Sequence, residues 1–189
     1  MLLVTTSLLI AIASWGLNIV SGMAGQINLA HGVFVGIGAY TSAVIGGVAT
    51  SSVIGFELDM IFWLPISGAV AALIGVIISP VSARLKGLNL GLVTLAIVFI
   101  GSHFFSNLKF ITGGAGLGRK AAKLKFLGFD LDSGISIGNL ILEKNDVIYY
   151  FSLILCILLG IGAKNLTRTK IGRAFSAIRD RDIAAEALG

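Results

Sequence analysis

The sequence predicts an all-α fold, a polytopic bundle of transmembrane helices, from its composition and from the placement of its charges. Of its 189 residues 56% are hydrophobic and only 12% are charged, with a mean hydropathy of +0.98. Soluble domains carry about 25% charged residues. No Lys, Arg, Asp or Glu precedes Glu57. A soluble domain could not build a solvated face from such a stretch, so soluble enzymes and soluble binding modules are excluded.

Five apolar stretches are candidates for the spanning helices, since a helix that crosses the hydrocarbon core needs about 20 mostly apolar residues. They cover residues 2–20, 27–49, 61–79, 88–107 and 147–163. Only a few residues separate the first two stretches. These two could therefore form one span followed by a broken or re-entrant element.

The basic residues predict the orientation. Arg84 and Lys86 lie in the short connection after the third stretch, and the tail from residue 164 carries six more basic residues. Lys and Arg are enriched in cytoplasmic loops, so both regions are expected in the cytoplasm and segment 108–146 on the opposite side. Residues 1–163 then form a transmembrane domain, and 164–189 a cytoplasmic segment.

Three polar side chains, Gln26, Asn28 and His31, interrupt the apolar run SGMAGQINLAHGVF. An unpaired polar group in hydrocarbon costs several kcal/mol, so each must face protein or a water-filled cavity. Asn28 and His31, three residues apart, would share a helix face, and Gly22 and Gly25 can break the helix before them. Two interpretations stay open: the three residues join helices structurally, or they line a translocation path beside a broken helix.

Small residues recur four positions apart, which predicts close helix packing in lipid. The pair Gly32 and Gly36 is the example nearest to the polar residues, and Gly68/Ala72, Gly75/Ser79 and Gly87/Gly91 repeat the spacing. A tightly packed bundle accounts for most of these pairs without a further purpose.

The segment TGGAGLGRK (112–120) resembles a phosphate-binding loop only superficially. Arg119 stands where the lysine is needed, and Lys120 where Ser or Thr would bind magnesium. His103 and Asn107 are interpreted as residues of the membrane interface. The spans hold no paired acids and no metal-ligand cluster, so we expect no catalytic residues, no metal site and no enzyme activity in this chain.

The tail predicts an amphipathic helix over 172–188 that lies at the membrane surface. It could also dock on a cytoplasmic partner, because small residues allow close approach and charges give direction. The residues expected to take part in such docking are Arg179, Asp180, Asp182, Ala184, Ala185 and Gly189.

Two stretches resemble the permease subunits of branched-chain amino acid ABC importers, the LivM and LivH type. GLNIVSGMAGQINLAHGVFVGIGAYTSA (16–43) is similar to their pattern NLxxGxxGQxSLGHAAFxxIGAY, with Asn28 in place of Ser and Ala30 in place of Gly. IGRAFSAIRDRDIAAEALG (171–189) resembles their cytoplasmic coupling loop, with Ile183 in place of Glu. The resemblance covers nearly the whole chain.

The resemblance implies a subunit of an ATP-driven importer in a bacterial or archaeal cytoplasmic (inner) membrane. Its partners would be two cytoplasmic ATPase subunits, which bind ATP and Mg, a second permease subunit, an extracytoplasmic substrate-binding protein and the lipid bilayer. This chain would bind no cofactor and no nucleic acid.

The expected substrate is a branched-chain, apolar amino acid, and Gln26, Asn28 and His31 would lie along or beside its path. A urea, short-amide or sugar permease of the same superfamily, and a non-transporting membrane scaffold, remain alternatives. Because family members run beyond the coupling loop, the sequence is expected to be an incomplete domain that stops after that motif.

Overall fold

The computed structural model describes residues 1–85, 87–114, 118–126, 129–131, 135–137 and 140–180. Helices dominate these ranges, as the sequence predicted. In chain order they are α1 (Leu2–Leu17), a π-helix (Asn18–Met23), α2 (His31–Gly46), α3 (Met60–Ala83), α4 (Leu88–Asn107), α5 (Lys109–Thr112), α6 (Lys144–Arg168) and α7 (Lys170–Asp180).

Four helical segments of the described chain are long and apolar enough to cross a membrane. They are Leu2–Met23, Met60–Ser82, Leu88–Asn107 and Lys144–Arg168. The expected span over 27–49 is shorter than predicted, because α2 begins only at His31 and ends at Gly46, where Gly47 turns to an extended backbone with φ −90° and ψ 162°. A helix of 16 residues measures about 24 Å.

The chain divides into two compact units, and the first contains residues 1–28 and those from 135 onward. In this unit α1 packs along α6, with the Trp15 ring about 3.5 Å from the position of a Cβ on Gly160. Trp15 lies eight residues before Met23, and Gly160 eight before Arg168. Because α7 follows α6 directly and also contacts the π-helix, α1 and α6 run parallel, with their carboxyl ends toward α7.

The second unit, Leu29–Gly134, is built on α2, α3 and α4. The connection from α2 to α3 folds back on the end of α2: the Phe56 N–H donates to the Val44 carbonyl at 3.1 Å, and the Leu58 N–H to the Ile45 carbonyl at 2.9 Å. Trp63 of α3 lies directly against Gly46, which has no room for a Cβ. The two helices therefore meet as an antiparallel pair at this end.

Segment 108–146 contains local structure that the sequence did not predict. Besides α5, four strands of two or three residues form two antiparallel pairs, β1 (Lys125–Phe126) with β2 (Phe129–Asp130) and β3 (Ile135–Ile137) with β4 (Leu140–Leu142). Strands this short have no hydrophobic period to detect. They leave the all-α class unchanged.

The outward faces of the long helices are strongly apolar. Leu3 is 83% exposed, Val76 71% and Phe99 69%. Burying a side chain of this kind is worth about 1.5–3 kcal/mol, so the faces require lipid or further protein around them. The chain is a multi-pass membrane protein.

Candidate transport site and coupling helix

The break predicted at Gly22 and Gly25 lies at the end of the first span. The π-helix widens the last turns, where the Ala24 N–H donates to the Ile19 carbonyl at 3.4 Å. A Cβ on Gly22 would collide with the Asn18 side chain, and Gly25 has φ +66°, a backbone that L-residues with side chains rarely adopt. The backbone at Gly25 thus favours glycine where the helix ends, whereas the Asn18 side chain could turn away from a side chain at residue 22.

The three polar residues of the break occupy different environments. Gln26 is exposed, whereas Asn28 and His31 are partly buried. Asn28 precedes α2 and His31 is the first residue of that helix. The expectation that they share a helix face is therefore wrong, because the backbone between them turns before the helix starts.

The side-chain oxygen of Asn28 is fully buried, and no donor among the described residues reaches it. A buried acceptor without a hydrogen bond costs about 1–3 kcal/mol. Such an oxygen is suited to accept a hydrogen bond from a group that the described residues do not supply.

Thr94 of α4 holds the chain just after the break, and the sequence analysis missed it. Its hydroxyl accepts from the Leu29 N–H at 3.3 Å and donates to the Gly91 carbonyl at 2.9 Å. Thr94 is 5% exposed. A threonine three residues after a buried glycine carries no distinctive sequence signal, so only the fold reveals this contact.

A cavity of about 660 Å³ opens between α2, α4 and the glycine turn that follows α5. Three of the residues that line it, Tyr40, Ser102 and Ser106, carry hydroxyls, and the Ser106 hydroxyl donates to the Ser102 carbonyl at 2.9 Å. The other lining residues are Leu29, Gly32, Val33, Val98, Phe105, Gly114 and Gly118. None of these residues carries a charge, so the wall offers hydrogen bonds and apolar contact only.

Gly32 and Gly36, predicted as a packing pair, have different surroundings. A Cβ on Gly36 would lie 2.8 Å from the Phe105 ring, so α2 and α4 approach closely there. At Gly32 no heavy atom of the described residues lies within 4 Å of that position. Gly32 widens the cavity and does not bring two helices together.

A second cavity, of about 600 Å³, is almost entirely apolar. It lies among α2, α3 and α4, and Ile37, Ile74 and Ile97 are representative of its lining. Val33 and Tyr40 border both cavities. An apolar compartment thus adjoins the one that carries hydroxyls.

Arg119, considered in the sequence only as a misfit in a phosphate loop, joins the connection between α2 and α3 to the short helix α5. Its guanidinium donates to the Ile111 carbonyl at 2.9 Å and also to the Ile54 carbonyl. Partial burial lowers the pKa of Arg119 from its ordinary value, but a guanidinium stays charged at any physiological pH. The residue is a structural tie between residues 54 and 111.

The tail helix α7 begins at Lys170, two residues before the predicted start, and is described to Asp180. Arg179 donates from Nη1 to the Gly22 carbonyl at 3.0 Å, so the tail contacts the glycine break directly. Asp182, Ala184, Ala185 and Gly189 lie outside the described residues. Of Asp180 only the helical backbone is described.

These features define a class: a multi-pass membrane protein with a glycine-broken first span, an uncharged cavity between helices and an amphipathic helix after its last described span. A family model described as "Branched-chain amino acid transport system / permease component" matches residues 1–189. The chain belongs to this family of permease components.

Two curated relatives extend the comparison. The high-affinity branched-chain amino acid transport system permease protein LivM of Escherichia coli (strain K12) is 30% identical over 199 aligned residues, which cover 98% of this chain and 45% of the relative. LivM of Salmonella typhimurium (strain LT2) matches with the same identity and coverage. The chain thus spans about half the length of these relatives. No solved structure matches it.

Proposed function

We propose that this chain forms part of the translocation path of an ATP-driven importer that moves branched-chain, apolar amino acids across a bacterial or archaeal cytoplasmic membrane. The observation that carries the proposal is the uncharged cavity between α2 and α4. A zwitterion with an aliphatic side chain needs hydrogen-bond partners at one end and apolar contact at the other, and the wall around Ser102, Ser106 and Val98 offers both. A path must also release its substrate, which strong ion pairs would oppose.

We also propose that the polar residues of the break lie along or beside the path of the substrate. Gln26, Asn28 and His31 follow a helix end in which backbone groups are freed, as in broken-helix sites of other transporters. In this proposal the Asn28 oxygen, which lacks a donor among the described residues, accepts a hydrogen bond from water or from the ammonium group of the passing substrate.

The energy source of the proposed importer lies on other subunits. Two cytoplasmic ATPases bind ATP and Mg, a second permease subunit completes the path, and an extracytoplasmic protein delivers the substrate. The coupling segment comprises α7 and the residues after it, including Asp180, Asp182, Ala184, Ala185 and Gly189. This chain itself carries out no chemical step.

A short amide such as urea is the competing substrate class. The same uncharged, hydroxyl-bearing wall would suit a small neutral amide. The apolar compartment beside it favours an aliphatic side chain, because urea has no group to place there.

Uptake by membrane vesicles that contain the full-length chain and its partner subunits tests the proposal. We expect ATP-dependent uptake of labelled leucine, isoleucine or valine, but not of urea. The Gly32→Leu substitution should reduce uptake to near background by filling the cavity. The control is Gly38→Leu, a position on the same helix that lines neither cavity and has open space around a Cβ.

Two results would contradict the proposal. Urea uptake in place of leucine uptake would assign the amide class. If the folded, membrane-inserted chain purifies without any ATPase and supports no uptake, the remaining interpretation is a non-transporting membrane scaffold.

A further inference from the structure

The contact between Arg179 and the glycine break joins two segments that are 157 residues apart in the sequence. The guanidinium donates to the Gly22 carbonyl, and the aliphatic stem of the same side chain lies along Gly25, where a Cβ would be 3.0 Å from Cγ of Arg179. One side chain therefore contacts the break through both its charge and its stem.

The chemistry of a helix end explains why a cation fits here. The last carbonyls of a helix lack intrahelical donors and together carry partial negative charge, which a nearby Arg stabilises. Gly22 lies in the last turn of the π-helix, and the positive φ of Gly25 prevents the helix from continuing. Arg179 thus supplies from α7 a donor that the first span cannot supply itself.

The position of α7 is set by a second close contact. Gly172 is buried, and a Cβ there would collide with the Leu166 carbonyl and lie 2.7 Å from Cα of Thr167. The start of α7 therefore fits closely against the end of α6. A shift of α7 relative to α6 would move Arg179 relative to Gly22.

We propose that Arg179 is a positioning residue that caps the glycine break while α7 is docked, so that a displacement of α7 removes the cap and alters the backbone of residues 22–28. The consequence for transport rests on the proposed function. If ATPase subunits move α7 in the importer, Arg179 would transmit that movement to the backbone that carries Gln26 and Asn28. The cap itself exists independently of the substrate.

Hydrogen–deuterium exchange on the purified complex of the full-length chain measures the cap directly, without any transport assay. Arg179→Ala should speed exchange of the amides in 23–28 by about tenfold, the factor expected for loss of one charge-assisted hydrogen bond. Arg179→Lys should give an intermediate rate, since an ammonium restores the charge but lacks the planar set of N–H donors of a guanidinium. Arg173→Ala, an exposed arginine on the same helix, is the control and should leave the rate unchanged.

The link to α7 is tested by displacing that helix. Gly172→Ala should speed exchange in 23–28 in the presence of Arg179, and the Gly172→Ala/Arg179→Ala pair should exchange no faster than Arg179→Ala alone. Equal exchange in the wild type and Arg179→Ala would overturn the cap. Additive effects in the double variant would overturn the link.

Transport measurements then separate this inference from the proposed function. If leucine uptake is observed, Arg179→Ala should raise the ATP hydrolysed per leucine imported, and Arg173→Ala should not. An unchanged ratio would refute the role in coupling. Absence of any uptake would refute the proposed function, while the exchange rates would still decide whether Arg179 caps the break.

Discussion

At the scale of single residues, polar side chains hold the backbone where helices end. Thr94 supplies an acceptor to the Leu29 N–H, Arg119 supplies donors to the backbone carbonyls of residues 54 and 111, and Arg179 supplies one to the Gly22 carbonyl. In each case the partner is a backbone group left without a bond by an interrupted helix or a turn. The glycines and the polar triad of the break could be recognised in the sequence, but their partners could not, since they are distant in sequence and of ordinary residue types.

Replacing Thr94 by valine tests the contact after the break. Valine keeps the shape but removes the hydroxyl, so the Leu29 N–H loses its acceptor, and we expect a loss of about 1–2 kcal/mol in the free energy of unfolding. Thermal unfolding in detergent measures it. Thr94→Ser keeps the hydroxyl and should stay much closer to the wild type. An unchanged stability in Thr94→Val, with a loss in Thr94→Ser alone, would show that the methyl group matters and the hydrogen bond does not.

Replacing Arg119 by alanine should loosen the tie between Ile54, in the connection from α2 to α3, and Ile111 of α5. Two backbone carbonyls lose their charged donor, which we expect to cost about 1 kcal/mol because the site is partly exposed to water. Limited proteolysis of the detergent-solubilised protein should then cut faster in 50–56. Lys120→Ala, next to it and exposed, is the matched control. An unchanged cleavage rate in Arg119→Ala would mean that other contacts hold segment 50–56 in place.

At the scale of elements, the sequence predicted the long helices better than the short ones. The four long spans of the described chain agree with the predicted stretches 2–20, 61–79, 88–107 and 147–163, because about twenty mostly apolar residues leave few alternatives. The sequence overestimated the length of α2, because apolar residues continue past both ends of this helix. Only the backbone geometry shows where it begins and ends. The π-helix escaped prediction for a related reason: its residues differ in no obvious way from those of α1.

The close packing of α2 on α3 depends on a glycine, Gly46, at the end of α2. At Gly46 a Cβ would collide with the Trp63 ring and lie 2.8 Å from the Ala122 Cβ. Gly46→Ala should therefore lower the free energy of unfolding by about 1–3 kcal/mol, the usual cost of overpacking.

A second glycine of α2 provides the control for this prediction. Gly38 has no heavy atom of the described chain within 4 Å of a Cβ. Gly38→Ala should be neutral, or stabilising by up to about 1 kcal/mol from helix propensity. Thermal unfolding in detergent compares the two variants. Similar melting temperatures would show that the Trp63 ring moves aside at little cost.

At the scale of the whole molecule, composition alone established the membrane class, but it did not reveal that the chain forms two units. Residues 1–28 join the last described helices, whereas 29–134 form a unit of their own. The boundary falls between Asn28 and Leu29, within a continuous motif. No shift in composition marks it, because the same apolar residues serve both units.

The distribution of Lys and Arg predicts which side of the membrane each connection faces. In a Cys156→Ala background, cysteines placed at Arg84 and Lys170 should react with a membrane-impermeant maleimide only from the cytoplasmic side. A cysteine at Lys120 should react only from the opposite side. Residues 84, 120 and 170 are all exposed. Labelling of 84 and 120 from the same face would contradict the assignment, and labelling of each from the unexpected face would invert it.

The parallel packing of α1 and α6 sets a parity condition on the chain between them. Two helices that cross a bilayer in the same direction must be joined by an odd number of crossings. Among the described residues between them, α3 and α4 are long and apolar enough to span, and two is an even number. Within the described chain the 16-residue α2 is then the helix that supplies the third crossing, although its length of about 24 Å falls short of a hydrocarbon core of about 30 Å. The membrane beside α2 is accordingly expected to be thinned.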